Sequence, residues 1–266
     1  FFFFFLQGLK SNIKFILPSA IFLSITLYTY YASIIYAPLT LLILVLIYRQ
    51  ILLKNIKVFV IFLTIVGLLS IPAVSNYAGK TGKTRLNAIS VLTPDITLPT
   101  SIQESEYDQK NNIPLSNIVH NRRLVYFTSL TENYVRYFNF DYLFVNSSAV
   151  RYFYVNNVGL FYLVELPFFF YGLYLMFKKR EKSGVLLFGL LIIAPMPAML
   201  TLGSGFIHRA LLMLPVVQMV VAFGVATAVY PFLKSRKIIF AIPVVIYLSS
   251  FFFFAHQYFV HSPNEF

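Results

Sequence analysis

The sequence predicts an all-α fold: a polytopic helical membrane protein with about seven full transmembrane helices and one large outer loop that carries short surface helices. Two observations support this fold class. The chain is 59% hydrophobic and 11% charged, whereas a soluble domain is about 45–50% apolar and about 25% charged. The apolar residues are also grouped in stretches of about 20 residues, the length that crosses the hydrocarbon core of a bilayer.

Seven stretches have this length and composition. They cover residues 15–33, 34–50, 57–75, 157–177, 184–203, 206–231 and 238–257. Residues 1–6 are too short to span and lack the charged start of a signal peptide, so we interpret them as the end of a helix that begins earlier in a longer protein. The predicted organisation is therefore transmembrane helices in 1–75, an outer loop in 76–156, four transmembrane helices in 157–257, and the start of an outer segment in 258–266.

The basic residues predict the orientation. Twelve of the 21 Lys and Arg residues lie in the connections on one side of the predicted spans, together with one acid, Glu181. They are Lys10, Lys14, Arg49, Lys54, Lys57, Lys178, Lys179, Arg180, Lys182, Lys234, Arg236 and Lys237. Cytoplasmic loops carry such an excess, so the loop of residues 76–156 is predicted to be extracytoplasmic. The same distribution explains the net charge of +12 without a nucleic-acid partner.

The outer loop has two parts of different composition. Residues 93–117 contain three prolines and little apolar periodicity, which predicts an irregular connector. Residues 118–155 are too rich in Tyr and Phe for a solvated linker, and we expect them to pack on the membrane surface as short helices.

Few residues are suited to catalysis or to metal binding. The absence of cysteine excludes disulfides and thiol catalysis, and no zinc-ligand spacing, nucleotide-binding loop or Ser/His/Asp signature is present. Neither a metal nor a cofactor is predicted. The four histidines show no metal-type pairing and are interpreted as interfacial polar residues. The acids Asp95, Glu104, Glu106 and Asp108 are interpreted as solvated.

Charged residues near the outer boundary are the candidate site. They are Arg85, Arg136, Arg151, His208, Arg209 and, inside the fourth span, Glu165. Charge inside a span is functional or paired, so Glu165 is either paired with a loop arginine, snorkelled to the interface, or a ligand for a polar substrate. Arg209 is either an interfacial anchor or a ligand for an anionic lipid head group, since the guanidinium fork donates two parallel hydrogen bonds to phosphate. The same two alternatives stay open for Arg85, Arg136 and Arg151.

Two prolines interrupt the fifth span. Pro195 and Pro197 remove helical hydrogen bonds and predict a kink near the outer end of the helix. Gly203 and Gly205 follow, and then His208 and Arg209. We interpret this region as the wall of a site.

These residues resemble a family. Residues 195–201 (PMPAMLT), 208–211 (HRAL) and 214–215 (LP) resemble the C-terminal membrane half of polyprenyl-phosphate-dependent glycosyltransferases of the GT-C fold, in the branch of the dolichyl-phosphate-mannose–protein mannosyltransferases (glycosyltransferase family 39 type). The resemblance consists of short pieces scattered over most of the chain.

Further pieces of the resemblance lie elsewhere in the chain. Residues 132–138 and 141–144 are similar to a loop segment of the family, although Arg136 stands where the family usually has His. Residues 28–30 (YTY) with Pro38, and Arg85 after the third span, also match. The ending, residues 258–263, resembles the strand-like start of an outer domain.

The resemblance implies an activity. Such enzymes transfer a sugar, with inversion, from a polyprenyl-phosphate donor to a protein, lipid or glycan acceptor on the outer face of a prokaryotic plasma membrane. It implies that Arg209, Arg85 and Arg151 stabilise the phosphate charge, with His208, Arg136, Tyr134 and Glu165 as further substrate-binding residues. The family's catalytic carboxylate has no counterpart here and is expected upstream of Phe1, so this chain alone is expected to be inactive.

Two other functions stay open. A transporter or flippase for a lipid-linked or anionic solute would favour charges at mid-membrane and inverted repeats, and here only Glu165 lies in a span. A non-catalytic membrane scaffold would be favoured if the upstream sequence lacked an acidic outer loop.

Overall fold

A computed structural model describes residues 1–10, 12–146, 155, 157–203, 209, 211–233 and 237–264. Across these residues the regular elements are helical, which confirms the predicted all-α class. The α-helices, numbered α1 to α15 in chain order, are Phe2–Lys10, Ile16–Thr29, Ser33–Lys54, Ile56–Ala78, Lys80–Ile89, Pro94–Thr97, Pro99–Lys110, Ser116–Val119, Arg122–Arg136, Phe140–Phe144, Leu166–Lys179, Lys182–Ile193, Met196–Met199, Met213–Leu233 and Lys237–His256.

Four helical stretches in the described residues are long and apolar enough to cross a bilayer, so the chain is an integral membrane protein. They are Ser33–Lys54, Ile56–Ala78, Lys182–Met199 and Ile242–His261. These match the second, third, fifth and seventh predicted spans. Shorter apolar helices, Ile13–Thr29 and Met213–Ala228, coincide with the first and sixth. A total of seven spans stays a prediction.

The first of two compact units comprises residues 1–93. Its helices α2 and α4 pack side by side with their C-terminal ends together. At that end the Tyr77 hydroxyl donates to the Leu27 carbonyl (2.5 Å) and the Tyr28 hydroxyl to the Leu69 carbonyl (2.5 Å). The two helices therefore run in the same direction, as the first and third of three alternating spans must.

The second unit comprises residues 94–266, and its helices α11 and α14 also run in parallel. Glu165 contacts Gln218 at the start of this pair, and Gly172 contacts Gly224 further along. The turn at Arg180 and Glu181 connects α11 to α12, whose Phe188 packs on Phe177 with ring centroids 4.9 Å apart. The order down, up, down of α11, α12 and α14 agrees with alternating crossing.

The fourth predicted span, 157–177, begins too early. A single 3-10 turn, Leu163–Glu165, precedes α11, and Pro167 lies in the first turn of α11. The preceding residues pair with α10 instead, because the Phe161 amide donates to the Leu143 carbonyl at 2.8 Å. At Gly159 an added Cβ would lie 2.3 Å from the Phe144 backbone, so only glycine allows this approach.

Two other predictions are corrected. Residues 93–117 are not irregular, because they contain α6, α7 and α8. Pro94 and Pro99 each occupy the first residue of a helix, where a missing N–H costs no hydrogen bond. The C-terminal residues are not strand-like, since the chain continues from α15 into a π-helical turn, Gln257–His261. The short helices predicted in the second part of the loop are confirmed for α9 and α10.

The glycine contacts between α11 and α14 generate a prediction. A Cβ at Gly172 would lie 2.3 Å from the Val220 carbonyl oxygen, and one at Gly224 would lie 2.1 Å from that of Phe168. We expect Gly172→Ala and Gly224→Ala to destabilise the protein by about 1–3 kcal/mol, since backbone atoms have to move apart. The measurement is the melting temperature of the purified protein in detergent.

Gly67→Ala is the matched control, because an added Cβ there meets no atom within 4 Å. A melting temperature that falls equally in all three variants would contradict the predicted tight helix contact.

Candidate functional site

The proline-broken end of the fifth predicted span is the first feature of the site. Helix α12 ends at Ile193, and the short helix α13 begins at Met196. Pro195 and Pro197 lack the N–H groups that would bond to the carbonyls one turn earlier, and the helix is interrupted at residues 194 and 195. The predicted kink is confirmed.

Helix α9 of the outer loop is hydrogen-bonded to this broken end. Asn133 donates through Nδ2 to the carbonyl oxygens of Met199 and Thr201, each at 3.3 Å. The Tyr134 hydroxyl donates to the carbonyl of Ile192 at 2.9 Å. Burial raises the pKa of Tyr134, so its hydroxyl stays protonated and keeps donating at neutral pH. Side chains thus replace helical N–H groups as donors.

Arg209 binds the same end of the helix. Its Nη1 donates to the Thr201 hydroxyl at 2.8 Å, to the Gly203 carbonyl at 3.2 Å, and to the Leu202 carbonyl. The guanidinium therefore ties residue 209 to the chain that leaves α13. Asn133 and Tyr134 reach the same segment from α9, which lies much earlier in the sequence.

The other predicted site residues have different positions. Arg151 and His208 lie outside the described residues. Arg85 belongs to α5 in the first unit, and Arg136 is an exposed residue of the last turn of α9. Of the predicted residues described in the second unit, Tyr134 and Arg209 both bond to the chain around α13, Tyr134 before that helix and Arg209 after it.

The second feature is an apolar cavity of about 500 Å³ between α11, α14 and α15. Most of its lining is Val, Ala, Leu and Phe. Three polar side chains also line it: Glu165, Gln218 and Tyr247. The cavity follows one face of α14, because Gln218, Val221 and Val225 are spaced by one helical turn.

Glu165 is the buried acid of this cavity, with 2% of its surface exposed. Gln218 Nε2 donates to both carboxylate oxygens, at 3.1 and 3.2 Å. Among described residues no cation lies within ion-pair distance. The predicted pairing with a loop arginine stays a prediction, since Arg151 lies outside the described residues. The carboxylate is buried and therefore not snorkelled. Glu165 lies at the start of α11, not two turns inside a span.

A third feature, a cluster of polar side chains on α7 and after α8, was not predicted from the sequence. The Ser101 hydroxyl lies 3.2 Å from His120 Nδ1, and His120 Nε2 lies 3.0 Å from Asp108 Oδ2. Ser101 and Asp108 are two turns apart on α7, a spacing that becomes meaningful only once this segment is known to be helical. Asp108 is thus not a simple solvated acid. The contacts link α7 to the residue that follows α8, and we assign them a structural role.

Fold and site together define a polytopic helical membrane protein with a hydrogen-bonded helix break and a carboxylate-bearing apolar cavity. Beyond this class the comparisons with known proteins add nothing: no family model matches the chain, and no curated protein or solved structure is significantly similar to it.

The link between α9 and the broken helix generates a prediction. We expect Asn133→Ala to destabilise the second unit by about 1–3 kcal/mol, because two carbonyls lose their donor. Tyr134→Phe should cost about 0.5–1.5 kcal/mol, the net contribution of one hydrogen bond. Thermal unfolding in detergent measures both. Glu132→Ala, at an exposed neighbouring position, is the control, and an equal loss in the control would contradict the assignment.

The His120 cluster generates another prediction. His120→Ala removes the acceptors and donors that hold α7, so we expect trypsin to cleave after the exposed Lys110 roughly tenfold faster, the effect of about 1.4 kcal/mol. The measurement is the initial cleavage rate under native conditions. Glu106→Ala, on the exposed face of α7, is the control. An unchanged rate in His120→Ala would show that the cluster does not hold the helix.

Proposed function

We propose that this chain is the C-terminal membrane part of a glycosyltransferase of the GT-C type, which moves a sugar from a polyprenyl-phosphate donor to an acceptor on the outer face of the membrane. The catalytic carboxylate is supplied by sequence upstream of Phe1. The acceptor is a protein, lipid or glycan hydroxyl.

One observation carries the proposal. Residues 132–138 and, much later in the sequence, residues 195–201 and 209 carry the resemblance to this enzyme class. In the structure the two segments meet, because Asn133 bonds to Met199 and Thr201. Within the second segment Arg209 bonds to Thr201. Residues that form one site in an enzyme have to converge in this way, whereas scattered chance matches have no reason to.

The chemistry of this convergence suits a lipid phosphate. As the bond between the sugar and phosphate breaks, negative charge develops on the phosphate oxygens. Arg209 keeps its charge at every physiological pH and presents five donors in a planar fork. Nη1 serves the helix break, which fixes the orientation of the guanidinium, and an arginine oriented beforehand stabilises the developing charge without reorganisation.

A second candidate function is transport of a lipid-linked or anionic solute. The observation that favours it is Glu165, a buried carboxylate in a helix pair of the membrane unit, since intramembrane acids mark solute and proton pathways. The absence of a detected repeat in the sequence gives this candidate less support than the glycosyltransferase.

The test uses the full-length protein reconstituted with a polyprenyl-phosphate sugar. We expect Arg209→Ala to lower transfer at least about a hundredfold, the loss seen when a transition-state donor is removed, and Arg209→Lys to retain part of it. Thr201→Val is the structural control: it removes one contact of Arg209 but leaves the charge, so it should have a much smaller effect. Arg123→Ala, at an exposed position of α9, should have none.

Three outcomes would contradict the proposal. Full activity of Arg209→Ala would show that Arg209 does not bind the phosphate. Equal losses of activity in Arg209→Ala and Thr201→Val would show that Arg209 has only a structural role. Movement of the intact lipid-linked sugar across the vesicle membrane, without transfer to any acceptor, would support the transporter instead.

A further inference from the structure

The cavity between α11, α14 and α15 combines an apolar wall with one acid. Gln218 lies at the same end as Glu165, and the apolar positions that follow it extend to Ala226. Eight residues of helix at 1.5 Å each make this wall about 12 Å long. Its shape is therefore that of a slot for a chain, with a polar group at one end.

Two neighbours of Glu165 are complementary to an acidic group. Glu165 lies at the N-terminal end of α11, where the helix dipole is positive. Gln218 donates to both of its carboxylate oxygens. The acid is almost wholly buried.

A buried carboxylate without a cation is costly. Neutral hydrogen bonds recover only part of the desolvation free energy, and the remainder falls when an opposite charge comes close. Within the described part of the chain no Lys, Arg or His pairs with Glu165. A cationic ligand would supply the opposite charge that the described residues lack.

We propose that this cavity binds a single-chain lipophilic amine. The hydrocarbon chain lies along the Val and Ala face of α14, and the protonated amine bonds to the Glu165 carboxylate. A lipid phosphate does not fit here, because the carboxylate would repel it. The cavity is thus a site separate from the phosphate site proposed at Arg209, and it stands whether or not that proposal holds.

The experiment uses photoaffinity labelling of the protein in zwitterionic lipid nanodiscs. Three diazirine probes share one hexadecyl chain and differ in the head group: a primary amine, an alcohol and a phosphate. We expect saturable labelling of the peptides from α11, α14 and α15 by the amine, competed by unlabelled hexadecylamine. Labelling by the alcohol should be at least about tenfold weaker, since charge-assisted hydrogen bonds exceed neutral ones by more than 1 kcal/mol.

Two variants test the two parts of the site. Glu165→Gln should remove the preference for the amine while the alcohol still labels. Ala222→Phe, at an exposed lining position, should fill the slot and block labelling by every probe while Glu165 stays in place. Glu181→Gln, in the exposed turn before α12, is the matched control and should label like the parent protein. Thermal unfolding shows that each variant is folded.

The proposal is overturned by equal labelling with amine and alcohol, which would make the cavity a neutral apolar pocket. It is also overturned if the phosphate probe labels best, or if folded Glu165→Gln keeps the amine preference. If Glu165→Gln fails to fold, two other measurements test the proposal. They are the loss of labelling in Ala222→Phe and the ratio of amine to alcohol labelling in the parent protein.

Discussion

Backbone carbonyls left open where the fifth span is interrupted and where α13 ends govern how the second unit is built. In a bilayer an unsatisfied carbonyl costs several kcal/mol, so a helix can break only where other donors replace the lost N–H groups. Here Tyr134 donates to the Ile192 carbonyl beside the break, and Asn133 and Arg209 donate to carbonyls at and beyond the end of α13. The loop helix α9 is held on this segment for this reason, and so is residue 209. Open backbone carbonyls thus bring the outer loop onto the interrupted span.

Glu165 imposes a second constraint of the same kind. A carboxylate that loses water must be given donors, and the parallel packing of α11 and α14 supplies Gln218 at the matching level. That packing depends in turn on glycines, because a side chain at Gly172 or Gly224 would meet the opposite backbone. The register of α11 against α14 therefore determines whether Glu165 receives its hydrogen bonds from Gln218.

Composition and proline chemistry predicted much of this structure. The apolar stretches are helices, and the break near Pro195 follows directly from the missing N–H groups. The start of the fourth span was wrong because residues 158–161 are apolar for a different reason: they pack against α10 instead of crossing the membrane. Hydropathy does not distinguish these two uses of apolar residues.

The candidate site was less predictable than the fold. A buried acid could be recognised at Glu165, but Gln218 is an ordinary polar residue within an apolar helix until the register of α11 and α14 is known. The contact of Ser101 with His120 was hidden in the same way, because three prolines suggested an irregular connector where two of them in fact begin helices. Pairings across the fold depend on register, and a single sequence carries little information on register.

The unequal packing of the cavity walls has a consequence for how a ligand arrives. Helices α11 and α14 touch through their backbones and so form a rigid pair. The third wall, the helical stretch Ile242–His261, has no buried residue, so this side of the cavity faces outward. A molecule dissolved among the lipid chains can then reach the cavity sideways, through the plane of the membrane, without passing through water. For such a molecule the effective concentration is set by its partition into the bilayer.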